Sequence, residues 1–275
     1  MVLCAFAGQV HADEVLATLS VNTRDAYGGP VQAEMPVTVF RPFGPGPFSA
    51  VVLSHGRPPS AKRQSMGRVK LSSVTATLLG MGLVVVVPTR IGYGIAAGPD
   101  PEFTVSCEQP RYAEALSAVA DQIAAAVAYT RGLPYVDPER IYLVGHSVGG
   151  AGTVAAVVRD LPGVRAAVAF NSGHGARPQS DPGEPCVPQA LQSTFAQYGS
   201  VHSAVPVLWI QTEGDRSFSM ANARSWFGAF VSSGGQGAFR AFPAFREDSH
   251  DWFAQQPAQW RETVHVFFAA QGLSP

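Results

Sequence analysis

The reading of this chain turns on Ile141-Tyr142-Leu143-Val144-Gly145-His146-Ser147-Val148-Gly149-Gly150. Residues 141–144 are consecutively apolar, the mark of a short strand buried on both faces, and the Ala- and Gly-rich run beyond Gly150 reads as a helix. The turn between them spells G-x-S-x-G. A strand that bends abruptly into a helix strains its central residue and crowds the backbone on either side, so positions 145 and 149 call for glycine. Ser147 then projects above the sheet at a helix N-terminus, where developing negative charge is stabilised, and it reads as a nucleophile. The bland alternative is an ordinary strand-to-helix turn.

Outward from this elbow the same kind of strand recurs. Residues 50–53, 83–87, 166–170 and 205–210 are short apolar runs without polar alternation. Helical periodicity fills the intervals, most clearly over 111–131, where Tyr112, Leu116, Val119, Ile123 and Val127 recur at three- and four-residue steps. Further helices are expected at 69–79, 149–161, 221–231 and 260–270. Residues 15–21 and 31–40, either side of Tyr27-Gly28-Gly29-Pro30, read as an antiparallel pair, and 239–245 as the last strand. A hairpin followed by repeated strand-helix units is an α/β, doubly wound arrangement, here a single domain over 13–275. Residues 173–204 hold no expected strand, carry Pro182, Pro185 and Pro188 with a short helix at 189–198, and read as a lid.

A serine hydroxyl needs a base to take its proton and an acid to orient that base. Asp215 lies in the loop after 205–210, with Glu213 a rival two residues nearer the strand; Gly214 gives the turn freedom to aim Asp215 inward. His250 follows the last expected strand and is the candidate base. His146 sits inside the elbow and is expected to pack or hydrogen-bond beneath Ser147, whereas His174, His202 and His265 read as surface or satisfied core residues. Asp251, adjacent to His250, is poorly placed to partner it. Oxyanion donors are expected from the N–H of Val148 and, after His55-Gly56, from the N–H of Arg57. Loop aromatics Tyr93, Phe103, Phe218, Trp252 and Phe253 are expected around the pocket. No histidine pair has metal-ligand spacing, and neither CxxC nor HExxH occurs, so neither a metal nor a cofactor is called for. Residues 92–97 match G-x-G-x-x-A, but Gly98-Pro99-Asp100-Pro101 stands where a nucleotide-binding helix would begin, and the stretch reads instead as a loop bordering the site.

Composition narrows the field. Nearly balanced charge (19 Lys and Arg against 20 Asp and Glu) without a basic cluster argues against nucleic-acid binding. No apolar run approaches the ~20 residues that span a bilayer. Residues 1–12 are apolar and uncharged and close on Val10-His11-Ala12, which suits a truncated signal peptide lacking its basic start; a frayed terminus is the alternative. Export, to periplasm or outside, is expected with the first reading and a cytoplasmic chain with the second. Removing Cys4 with the leader would leave Cys107 and Cys186, which an exported chain could pair; two free thiols is the alternative.

Together His55-Gly56, Gly145-His146-Ser147-Val148-Gly149-Gly150, Glu213-Gly214-Asp215 and Ser249-His250 resemble the α/β-hydrolase superfamily, nearest its dienelactone-hydrolase-like branch and the related secreted serine esterases. The resemblance spans roughly residues 37–268. It implies a mostly parallel eight-stranded sheet with helices on both faces, Ser147 as nucleophile, His250 as base and Asp215 as acid, without a cofactor. Dienelactone hydrolases carry a Cys nucleophile where this chain has Ser147, which turns the expectation toward other esters, small or polymeric. A prolyl-oligopeptidase-like peptidase shares the motif order, although the chain lacks room for the propeller such enzymes add. A noncatalytic binding protein on this scaffold would typically have lost one of the three residues.

Overall fold

A computed structural model describes residues 13–96 and 98–273. Its strands are β1 (Asp13–Arg24), β2 (Pro30–Arg41), β3 (Phe48–Ser54), β4 (Val84–Pro88), β5 (Val136–His146), β6 (Val164–Phe170), β7 (Val207–Thr212) and β8 (Gly237–Phe242). Its helices are α1 (Ser60–Gln64), α2 (Ser72–Leu79), α3 (Tyr112–Arg131), α4 (Val148–Val157), α5 (Pro188–Ser200), α6 (Met220–Ser232), α7 (Trp252–Gln255) and α8 (Pro257–Ala269). The sheet runs β1-β2-β4-β3-β5-β6-β7-β8, with β1–β2 and β2–β4 antiparallel and every later pairing parallel. This is the α/β-hydrolase fold, with the expected antiparallel hairpin, which the structure places at one edge.

Strand alternation sends neighbouring apolar residues to opposite faces. Ala50, Val52, Ile141 and Leu143 pack with Leu116, Val119 and Ile123 of α3 and Val154 of α4. Val51, Leu53, Tyr142 and Val144 pack with Leu78 of α2 and Trp260, Val264 and Phe268 of α8. Central strands lacking polar alternation are thus explained by helices on both sides.

Several boundaries differ from the sequence reading. The helix expected from residue 69 starts at Ser72, because Leu71 is left-handed (φ 45°) and the Val69 N–H donates instead to Thr89 Oγ1 at 2.9 Å. The last strand stops at Phe242, before Pro243, which cannot donate to a ladder. The helix expected to reach 161 ends at Val157, and Asp160 turns left-handed at φ 50°.

Residues 173–187 form an irregular loop before α5. The loop is pinned to α6 and its approach: Gly183 N–H donates to Arg216 O at 2.6 Å, Ser219 N–H to Gly183 O at 2.9 Å, and Trp226 Nε1–H to Pro188 O at 3.0 Å. Cys107 and Cys186 are joined by a disulfide with Cα atoms 4.9 Å apart, tying this loop to the one before α3. The leader expected at residues 1–12 lies outside the described residues. Among the described residues no helix is long and apolar enough to cross a membrane.

Candidate active site

Ser147 stands at the junction of β5 and α4 with φ 58° and ψ −123°, a left-handed φ that a non-glycine residue adopts only under constraint. The constraint is visible on both sides. A Cβ on Gly149 would overlap the carbonyl oxygens of Ser54 and His55, and one on Gly145 would meet the Gly149 carbonyl and Thr153 Oγ1. Ser147 N–H donates to Phe170 O at 2.9 Å, and Ser147 O accepts from Ala151 N–H at 3.0 Å, which fixes the elbow between β6 and α4.

His250 Nε2 lies 3.0 Å from Ser147 Oγ, while its Nδ1 lies 3.0 and 3.1 Å from the two Asp215 carboxylate oxygens. With Nδ1–H donating to Asp215, the unprotonated Nε2 can accept the serine proton. Glu213 is exposed and its backbone N–H belongs to the β8 edge through Phe242 O at 2.9 Å, so Asp215 and not Glu213 is the carboxylate that meets the imidazole. Asp251 is exposed at the start of α7.

The Asp215 carboxylate collects four further donors: Ser217 N–H at 2.8 Å, Phe218 N–H at 3.1 Å, Asn171 Nδ2 at 2.7 Å and Gln211 Nε2 at 3.0 Å. Burial alone would raise its pKa, but the His250 ring and these donors outweigh burial and hold it below the ordinary carboxylate value. Conversely, burial pulls His250 down and Asp215 more than reverses this, leaving the imidazole more basic than usual. Asn171 and Gln211 escaped the sequence reading. Their signal was positional, since both are polar residues at the C-terminal ends of adjacent parallel strands, where such sheets place their sites.

His146 behaves as a support. Its Nε2–H donates to the His250 carbonyl at 2.8 Å and its ring stacks on Phe253 at 5.3 Å; burial and then the nearby His250 charge depress its pKa to about 4. His174, expected at the surface or in a satisfied core, is buried and donates through Nε2 to Glu102 O at 2.9 Å.

The loop after β3 runs beside the elbow: a Cβ on Gly56 would lie 3.2 Å from Ser147 Cβ, too close for comfort. The Gly56 backbone therefore passes close against the serine. Val148 opens α4, so its N–H is among the amides that a helix leaves unpaired at its start.

The expected aromatic wall is corrected in part. Tyr93 has no exposed surface, because its hydroxyl is taken up by Glu102, Arg57 and Arg90. Trp252 is also buried, tilted against Phe242 at 4.6 Å on the face of the sheet covered by α8, so neither offers area to a substrate. Phe218 is buried edge-on to the His250 ring at 5.6 Å and braces it, and Phe253 lies under His146. Phe103 alone among them is well exposed. A cavity of about 380 Å³ lined by Gly183, Gly214, Asp215, Ser219 and Glu247 adjoins the Asp215 loop. A larger one, about 710 Å³, lies between the β1–β2 turn and α3 and includes none of these residues. Among the described residues no group of three or more His, Cys, Asp or Glu is placed to hold a metal ion.

A model of the alpha/beta hydrolase family matches residues 51–272. A search of curated proteins finds no match. Among solved structures, a puromycin-hydrolyzing peptidase of Mycobacterium tuberculosis is similar at TM-score 0.59 and 18% identity, over 94% of this chain and 41% of that one. The rice cell wall degrading esterase LipA from Xanthomonas oryzae is similar at TM-score 0.62 and 16% identity, over 97% of this chain and 92% of that one. A protein from Klebsiella pneumoniae described as a dienelactone hydrolase follows at 0.56 and 15%, over 94% and 99%. The chain therefore spans about two fifths of the peptidase and nearly all of the other two. At these identities the likeness is one of fold.

Proposed function

The chain belongs to the alpha/beta hydrolase family, and from that premise we propose that it is a serine hydrolase cleaving carboxylic esters through an acyl-Ser147 intermediate. The observation that carries the proposal is the unbroken contact chain from Ser147 Oγ to His250 Nε2 and from His250 Nδ1 to Asp215, at 3.0 Å each.

Ser147 Oγ attacks the ester carbonyl carbon as its proton passes to His250 Nε2, and Asp215 stabilises the imidazolium that results. The carbonyl oxygen, now anionic, accepts hydrogen bonds from the N–H groups of Val148 and Arg57. Collapse breaks the bond to the alkoxy oxygen, which leaves as the alcohol with the proton from His250. Water then attacks the acyl-serine, giving its proton to His250, and the second collapse returns that proton to Ser147 Oγ and releases the carboxylic acid.

A fluorophosphonate probe with peptide mass spectrometry tests the proposal: label on Ser147 and its loss in Ser147→Ala are expected, with hydrolysis of aryl esters falling by about 10⁶-fold in the variant. Full activity in Ser147→Ala would sink it. A matched ester and amide with the same acyl group separates an esterase from a peptidase; faster amide turnover would reverse the assignment of substrate class.

A further inference from the structure

The glycine-rich loop after β4, whose G-x-G pattern imitates a nucleotide fingerprint, carries a charge network that the triad does not use. Arg90 is fully buried. Its Nε donates to Glu102 Oε1 at 2.5 Å and its Nη2 to Glu102 Oε2 at 3.2 Å. Glu102 is equally buried; desolvation would raise its pKa, but Arg90 first and Arg57 next overcome this and hold it at about 2, fully ionised.

This pair grips the loop around Gly56 from both ends. On the upstream side, Arg90 Nη1 donates to His55 O at 2.5 Å and Ser54 Oγ at 3.0 Å, and the Arg90 N–H donates to His55 Nε2 at 3.1 Å. His55 Nδ1–H closes onto Gly56 O at 2.7 Å. On the downstream side, Arg57 Nη1 donates to Asp100 Oδ1 at 2.9 Å and to Tyr93 Oη at 3.3 Å and lies 3.6 Å from Glu102 Oε2, while its Nη2 also reaches Asp100. The Tyr93 hydroxyl in turn donates to Glu102. His55 is thereby fixed by the buried ion pair directly, and Arg57 by Asp100 together with Tyr93 and Glu102.

Stability is a poor explanation for such a pair. Taking two charges out of water costs several kcal/mol per ion, and a well-packed apolar replacement is often neutral or better. What the pair supplies is geometry at the place where the proposed reaction needs a backbone donor. We infer that Arg90 and Glu102 are positioning residues that hold the Gly56–Arg57 backbone at the distance and angle required to stabilise the oxyanion. The inference rests on the serine hydrolase reading above.

The test compares Glu102→Gln, Arg90→Lys and Tyr93→Phe for kcat, KM, the pH profile and thermal midpoint on an aryl ester. Glu102→Gln and Arg90→Lys are expected to lose about 10²-fold in kcat, as a misplacement near 1 Å does, with KM changed less than about threefold. The acid limb of the pH profile should stay where it is, because His250 and Asp215 are untouched. Tyr93→Phe, which removes one hydroxyl without stranding a charge, should lose several-fold in kcat alone and decides the matter where the charge variants fail to fold. Parent-like kcat in a folded variant, whatever its thermal midpoint, would reduce the pair to a structural role and overturn the inference. So would a displaced acid limb, which would place the effect on His250. Full activity in Ser147→Ala would instead remove the underlying function, a result distinguishable from either.

Discussion

Two buried polar networks flank Ser147, and they are made differently. Around Asp215 a single carboxylate is surrounded by neutral donors, Asn171, Gln211 and two backbone amides, with His250 as the only partner that changes charge. Around Arg90, full charges face each other: Arg90 and Arg57 against Glu102, and Arg57 and Arg63 against Asp100. In the proposed reaction, neutral donors leave Asp215 free to respond when His250 gains a proton. Opposed full charges hold a backbone still, which is what an oxyanion site demands and a proton relay does not.

Breaking the first network at its centre should have the largest effect. Asp215→Asn keeps the shape but offers an amide to His250 Nδ1, favouring the wrong tautomer, and kcat should fall by about 10⁴-fold. Recovery of substantial activity in that variant at neutral pH would point to another acid. Wild-type kcat/KM should rise with pH through the ionisation of His250, whose elevated pKa sets the acid limb above the ordinary histidine value of 6.5.

The second network should govern acid stability. Glu102 is held at about 2 against an ordinary glutamate value of 4.5, so its contribution is complete above about pH 4.5 and is lost as pH falls toward 2. His55 and His174 add to this, being buried neutral with values near 3 and 4: their contribution is present above about 6.5 and drains away as pH drops through those values. Burial is the leading cause for both. Thermal midpoints from pH 7 to 2 should fall steeply in the parent and less steeply between 4.5 and 2 in Glu102→Gln. An unchanged slope in that window would show the pair to be uncoupled from folding.

How much of this was legible in the sequence follows from the same contrast. Ser147, Asp215 and His250 each sit beside a local mark, a glycine turn or the end of an apolar strand, and their order along the chain is informative in itself. Helix and strand identities followed from burial on two faces, while their ends did not, because the left-handed turns at Leu71 and Asp160 fall on residues other than glycine and so carry no mark. Arg90 and Glu102 carry no local mark at all: a lone arginine in a glycine-rich loop and a glutamate twelve residues later become a pair only once the loop closes. Tyr93 and Trp252 misled for the opposite reason. An aromatic residue in a loop looks available to a ligand, but here the hydroxyl of one and the ring of the other are spent inside the protein.

A milder change sharpens the role of the neutral donors. Asn171→Gly removes the 2.7 Å bond to Asp215 while still accommodating the left-handed backbone at that position (φ 44°). With one competing donor gone, the carboxylate pulls harder on the imidazolium, so the acid limb should move to higher pH while kcat falls by about 10-fold, the lower end for one hydrogen bond to a charged group. A limb that stays put or moves down would mean that Asn171 orders the loop without tuning Asp215.

The smallest effect is expected where the two networks meet. His146 reaches the first through its Nε2–H on the His250 carbonyl, and its Nδ1 lies 3.1 Å from where a Gly56 Cβ would stand, against the second. At a pKa of about 4 it is neutral throughout the working range, so it cannot share the proton that His250 carries. His146→Ala should cost about fivefold in kcat, the worth of one net hydrogen bond, and His146→Gln, whose amide can still donate to that carbonyl, should recover most of it. Neither should add or remove an ionisation from the pH profile between 5 and 9. If His146→Ala abolished turnover while the protein stayed folded, or if a titration vanished with it, the base would have to be reassigned and the separation of the two networks would fail with it.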